Sequence, residues 1–233
     1  MQRAKVYLDS NIYKFSATRL PRLIARQVRV NWGGKKRFVT VHDPGTVNRN
    51  ERIQNPELKA EAELLPEVAA LAHAGLAIFQ ISIETQVEIG GIPDLDSETG
   101  YFYGADRQIV EAPVQYSRVL FGGIQDWWEG QYTFLSSLKH ERFLQLQRIT
   151  GAYQGPSKNV NRNQLLDAFH LWCAEHNGSD FFLSLDFKLA KVIEKAKSKP
   201  LVPVVRPSQL LTTIRSGEWP KCPVNSAAGN NGT

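Results

Sequence analysis

Cysteine, methionine and long apolar runs are all scarce in this chain of 233 residues, which has two Cys and one Met. Cys173 and Cys222 are too few and too far apart for a zinc ribbon or a disulfide framework. Cys173 falls in an apolar helical pattern and reads as a small core residue. No stretch approaches the apolar length of a membrane span, and the opening MQRAKVYLDS has no signal-peptide core. The expectation is a soluble, cytoplasmic protein with no membrane partner and no structural disulfide. Sequence repeats are missing as well. Acids are missing from one segment, where Arg19, Arg22, Arg26, Arg29, Lys35, Lys36 and Arg37 crowd together. The net charge is +5, and a local excess of this kind suits either a polyanion or a solvated surface.

What the chain does have is an apolar fraction of 42% with 10% aromatics, enough to bury a core. Four short apolar runs, AKVYL (4–8), LAIFQIS (76–82), DFFLSL (180–185) and LVPVV (201–205), read as buried strands. Helical patterns alternate with them. Residues 10–27 read as a helix or helix pair broken at Pro21, and 55–75 as a helix divided at Pro66. VRVNWGGKKRFVTVH reads as a two-stranded excursion turning at Gly33-Gly34, followed by a loop, DPGTVNRN. Residues 125–149 and 161–178 are helical, the latter with an Asn start and an Asn-Gly stop. PSQLLTTIRS gives a last helix. Residues 92–125 have no period and read as irregular insertion, and 216–233 as a disordered tail. Buried strands alternating with helices predict a three-layer α/β/α sandwich around a mainly parallel sheet. One domain over 1–215 is expected, with insertions at about 30–54 and 91–150.

In an open parallel sheet, ligands bind beyond the carboxyl ends of the strands. Asp9 ends the first buried strand and Asp186 follows the third. Asp167 is placed in the first turn of the 161–178 helix, and Glu88 lies six residues past Ser82. Four carboxylates gathered at one edge repel each other, and a hard cation such as Mg²⁺ or Mn²⁺ relieves that repulsion. Such ions activate water and stabilise displacement at phosphorus. Asp9 and Asp186 also suit helix caps, and capping does not exclude ligation. Glu84, four residues before Glu88 on the same helical face, is its substitute. Asp180 opens its strand and reads as structural. His170, beside Phe169 and Trp172, reads as packed rather than part of the site. Trp127-Trp128 and Tyr101-Phe102-Tyr103 read as packing clusters, with stacking on unpaired bases the sharper alternative.

VYLDSN, ISIETQVE, LLDAFHLWCAEHNGSDFFLSLDFKL and LVPVVRPSQLL together resemble the PIN domain family of metal-dependent nucleases. The resemblance implies a PIN-like fold and a Mg²⁺- or Mn²⁺-dependent endoribonuclease acting on single-stranded RNA. It implies Asp9, Glu88, Asp167 and Asp186 as catalytic metal ligands, with Asn11 and Ser184 in support. Many members are toxins held by a small antitoxin, so an antitoxin or other protein partner, or a homodimer, is an open expectation. The long interval between Asp9 and Glu88 and the large later insert depart from the compact family pattern. On the nuclease reading, Arg19, Arg22, Arg26, Lys35, Lys36 and Arg37 are candidates for holding RNA phosphates. Two rivals stand beside it. One is a non-catalytic RNA- or protein-binding module. The other is a phosphohydrolase of the haloacid-dehalogenase type, which wants a second aspartate where this chain has Asn11.

Overall fold

The first strand, β1 (Ala4–Leu8), is buried on both sides, which is why its sequence is apolar at nearly every position. The structure, a computed structural model, describes residues 3–16, 19–48, 53–90, 101–116, 124–153, 155 and 161–219. After β1 come α1 (Ser10–Ser16) and a long antiparallel hairpin, β2 (Arg19–Trp32) and β3 (Lys35–Asn48). Next are α2 (Pro56–Glu63), α3 (Leu65–His73), β4 (Ala77–Ile81) and α4 (Ile83–Gly90). A short 3-10 turn (Tyr101–Gly104) precedes β5 (Arg107–Ile109). Then follow α5 (Ile124–Ser137), α6 (Glu141–Thr150), α7 (Arg162–His176), β6 (Phe181–Leu183), α8 (Phe187–Lys195), β7 (Val204–Val205) and α9 (Pro207–Ser216).

The central sheet is parallel, in the order β5-β4-β1-β6-β7. Side chains alternate across it with period two. Val6, Leu8, Phe79, Ile81, Phe181 and Leu183 face one core, shared with α1, α3 and α9. Tyr7 and Phe182 face the other, shared with α5, α6, α7 and α8, and their rings stack 5.5 Å apart. The molecule is therefore the expected three-layer α/β/α sandwich. Asp180 is structural: its carboxylate accepts from Lys5 N at 2.9 Å, and its own N–H donates to Lys5 O.

Three local expectations change. The helix read over 10–27 stops at Ser16, and residues 19–27 belong to β2. Arg19-Leu20-Pro21-Arg22-Leu23-Ile24 has no clean strand alternation, and it is the cross-strand ladder with 40–48 that makes it a strand. DPGTVN is likewise strand rather than loop, so the excursion is longer than its turn signal implied. The 92–125 segment is not wholly irregular, because Arg107–Ile109 adds an edge strand beside β4. Beyond α9, Trp219 lies against Phe181, so the chain stays packed to that point. Cys222 and the rest of the tail lie outside the described residues.

Candidate active site

All strands of the sheet run the same way, so β1, β4 and β6 deliver their carboxyl ends to one edge. Asp9 follows β1 directly, and its side chain turns into the fold at 4% exposure. It does not cap α1; its backbone carbonyl does that, accepting from Ile12 N at 3.1 Å. Its Oδ2 instead accepts from Ser184 Oγ at 2.6 Å and from Asn11 Nδ2 at 2.7 Å. Asn11 Oδ1 in turn accepts from Leu185 N at 3.0 Å, which ties the ends of β1 and β6 together. Ser184 Oγ also accepts from Asp186 N at 2.9 Å. Ser184 and Asn11 thus fix Asp9 and the turn that carries Asp186.

Asp186 is the N-cap of α8, and its Oδ1 accepts from Lys188 N at 2.7 Å and Leu189 N at 3.1 Å. Capping and site membership coincide here, because Asp186 lines the same cleft as Asp9. Glu88 and Asp167 complete the acidic lining of this cleft, whose volume is about 510 Å³. Asp167 is not in the first turn of its helix as expected. Asn161 caps α7 through Asn163 N and Gln164 N, which places Asp167 sixth in the helix, on its second turn. Glu84, the substitute for Glu88, is fully buried away from the cleft and accepts from Gln131 Nε2 at 2.6 Å and Tyr116 OH at 3.1 Å.

The acids feel one another. Burial pushes the Asp9 carboxyl up to about 6, helped by Glu88 and Asp186 and opposed by the Ser184 hydrogen bond and His170. Burial also holds Asp167 well above the carboxylate range, with Asp9, Asp186 and Glu88 all adding to the effect. Sequence reasoning kept His170 out of the site, and the structure places it inside. Its Nε2 donates to Glu88 Oε2 at 2.6 Å, since a carboxylate only accepts. On the other side, Nδ1 meets Tyr7 OH at 3.2 Å and Thr85 Oγ1 at 3.3 Å. Burial alone lowers the imidazole pKa, but the charge and hydrogen bond of Glu88, with Asp9 and Glu84, raise it on balance. The signal was in the spacing: His170 is three residues after Asp167 and shares its helical face.

The rim carries Lys14, Arg162 and Trp128, none of which the sequence singled out for this place. Trp128 was read as packing; it is 37% exposed and lies 5.1 Å beneath the Arg162 guanidinium. Arg162 is steered by Gln131, whose Oε1 accepts from Nη2 at 3.1 Å. Phe102 is a packing residue as expected, buried against Phe79. The side chains of Tyr101 and Trp127 lie outside the described residues. Arg26, Lys35, Lys36 and Arg37 stand on the hairpin, not in the cleft, and the side chains of Arg19 and Arg22 are also outside the described set.

Among the described residues, no group of three or more His, Cys, Asp or Glu side chains stands ready to hold a metal ion. Three of the four acids have one oxygen held by other partners, Asp9 by Ser184 and Asn11, Asp186 by its cap and Glu88 by His170. The donor chemistry nevertheless fits a hard cation. All four acids offer oxygen, the donor atom a hard cation takes. No protein-family model matches the chain, and no curated protein matches it.

Proposed function

We propose that the protein is a metal-dependent ribonuclease that hydrolyses phosphodiester bonds of single-stranded RNA. The observation that supports this most is the gathering of Asp9, Glu88, Asp167 and Asp186, from four separate elements, along one cleft at the carboxyl edge of a parallel sheet. Asp9 and Asp167 both have raised pKa values, from burial first and from the neighbouring acids second. A divalent cation at this edge would offset that negative charge and attract a phosphate. On this reading the four acids hold Mg²⁺ or Mn²⁺. The bound ion supplies an activated water and charge stabilisation at the phosphorus.

The chain's own residues do the rest. Ser184 and Asn11 hold Asp9 Oδ2 in place, leaving Oδ1 for the cleft. His170 holds Glu88 through Oε2 and leaves Oε1. Lys14 and Arg162 bring positive charge to the rim, where the phosphate backbone enters, and Trp128, with the Arg162 guanidinium over its ring, adds an aromatic group at the same rim. The proposed compartment is the cytoplasm, in keeping with a buried free thiol at Cys173. Among the described residues, no helix is long and apolar enough to cross a membrane.

The test is incubation of labelled single-stranded RNA with the protein and Mn²⁺, beside EDTA and Asp9→Asn samples. Cleavage confined to the metal-loaded wild type is expected. RNA that binds and stays intact in every sample overturns the nuclease in favour of a binding module.

A further inference from the structure

We infer that the hairpin β2–β3 is an RNA-holding arm, whose tip grips a single strand by stacking and phosphate contacts outside the cleft. The inference rests on the nuclease reading for the kind of strand it holds. Each strand of the arm has 14 residues, so the ribbon reaches ~46 Å at ~3.3 Å per residue. Among the described residues, it contributes none to either core. A two-stranded ribbon alone in water is marginal, and one this long implies an occupant.

Register identifies the occupant's chemistry. Trp32 pairs with Lys35 and Val30 with Arg37, so Trp32, Lys35 and Arg37 share one face of the tip. Arg29 pairs with Phe38 and Asn31 with Lys36, which gives the opposite face Phe38, Arg29 and Lys36. Each face thus presents one aromatic ring and two cations. Trp32 is 71% exposed and Phe38 69%, values unusual for such large apolar rings in a folded chain. Gly33 and Gly34, both at positive φ, make the tight turn that brings the two rings to one end.

Rings interleaved with cations are the elements that hold unpaired nucleotides, where every base has a face to stack and every link a charge to neutralise. Over residues 19–48, seven Lys and Arg stand against Asp43 alone, and Asp43 is itself paired with Arg26. That charge disfavours a second copy of the same arm as occupant. Pro21 and Pro44 lack the N–H groups that continuous pairing along a strand needs, which opposes edge-to-edge addition of another strand.

Fluorescence anisotropy with a fluorescein-labelled, mixed-sequence single-stranded RNA in EDTA tests the arm without cleavage. Trp32→Ala with Phe38→Ala should weaken binding at least about fivefold. Substituting Arg29, Lys35, Lys36 and Arg37 together by Gln should flatten the salt dependence by about 2 to 3 in log–log slope. Trp32→Tyr with Phe38→Tyr keeps two stacking rings and should bind as the wild type does; loss there as large as with Ala overturns the stacking argument. The arm is also overturned if the wild type does not bind, or if the variants keep wild-type affinity and slope. It is likewise overturned if they change only the sedimenting mass, which would make the hairpin an interface between copies. Mn²⁺ cleavage on the same samples separates the two ideas. Arm-dependent binding with no cleavage sinks the nuclease and leaves the arm standing.

Discussion

Replacing Asp9 by Asn should make the protein more stable near pH 7.5, not less. Asn has the shape and charge of a protonated Asp, and its carbonyl oxygen can accept from Ser184 Oγ and Asn11 Nδ2 as Oδ2 does. The carboxyl titrates at about 6 in the fold against 3.8 ordinarily, chiefly because it is buried. At ~1.36 kcal/mol per pKa unit, ionised Asp9 therefore costs about 3 kcal/mol of stability. The sign follows from the raised value. The cost is fully present above about pH 6, fades as the pH falls towards 3.8, and is absent below it. Thermal melts in EDTA should place Asp9→Asn about 6–12 °C above the wild type near pH 7.5, with the gap closing through that acid window. Mn²⁺ should raise the melting temperature of the wild type and leave the variant where it was. A variant equal to or less stable than the wild type near pH 7.5 would refute the argument that this edge is strained by its own charge.

Asp186 carries two roles that substitution can separate. Asp186→Asn keeps the cap on α8, so stability should hold within about 0.5 kcal/mol while Mn²⁺-dependent cleavage is lost; Asp186→Ala should lose cleavage and about 1 kcal/mol as well, both read by urea melts beside the RNA assay. Ser184→Ala removes the donor to Asp9 and the acceptor for Asp186 N, and should cost about 1–3 kcal/mol with a sharp fall in cleavage. A Ser184→Ala protein that cuts RNA at the wild-type rate would show that Asp9 needs no such support.

The parts of the fold that were legible are those where local pattern and tertiary environment agree. β1, β4 and β6 are buried on both faces, so continuous apolar runs announced them, and the acids at their ends followed. Pro66 divided the α2–α3 pair at the first turn of α3, where proline is tolerated. The hairpin's first strand was hidden because its described side chains face neither core, so no side of that stretch had to be apolar. β5 has three residues and an exposed pattern, and only its ladder with β4 makes it a strand. His170 was missed for a different reason. Its neighbours in sequence are core residues, while its partners, Glu88 and Tyr7, come from 82 and 163 positions away. A single chain read in order does not display such pairings.

The position of β1 at the middle of the sheet also sets when the site comes into being. Its two neighbours are β4 and β6, and Asp9 meets Ser184 across 175 residues of chain. At ~5–20 residues per second, a ribosome needs roughly 10–35 s to pass from one to the other. Until then the nascent polypeptide has β1 without its second neighbour and Asp9 without the hydroxyl that orients it. On the proposed reading, the nuclease would stay inert beside its own messenger until translation has passed Asp186, the last of the four acids along the chain.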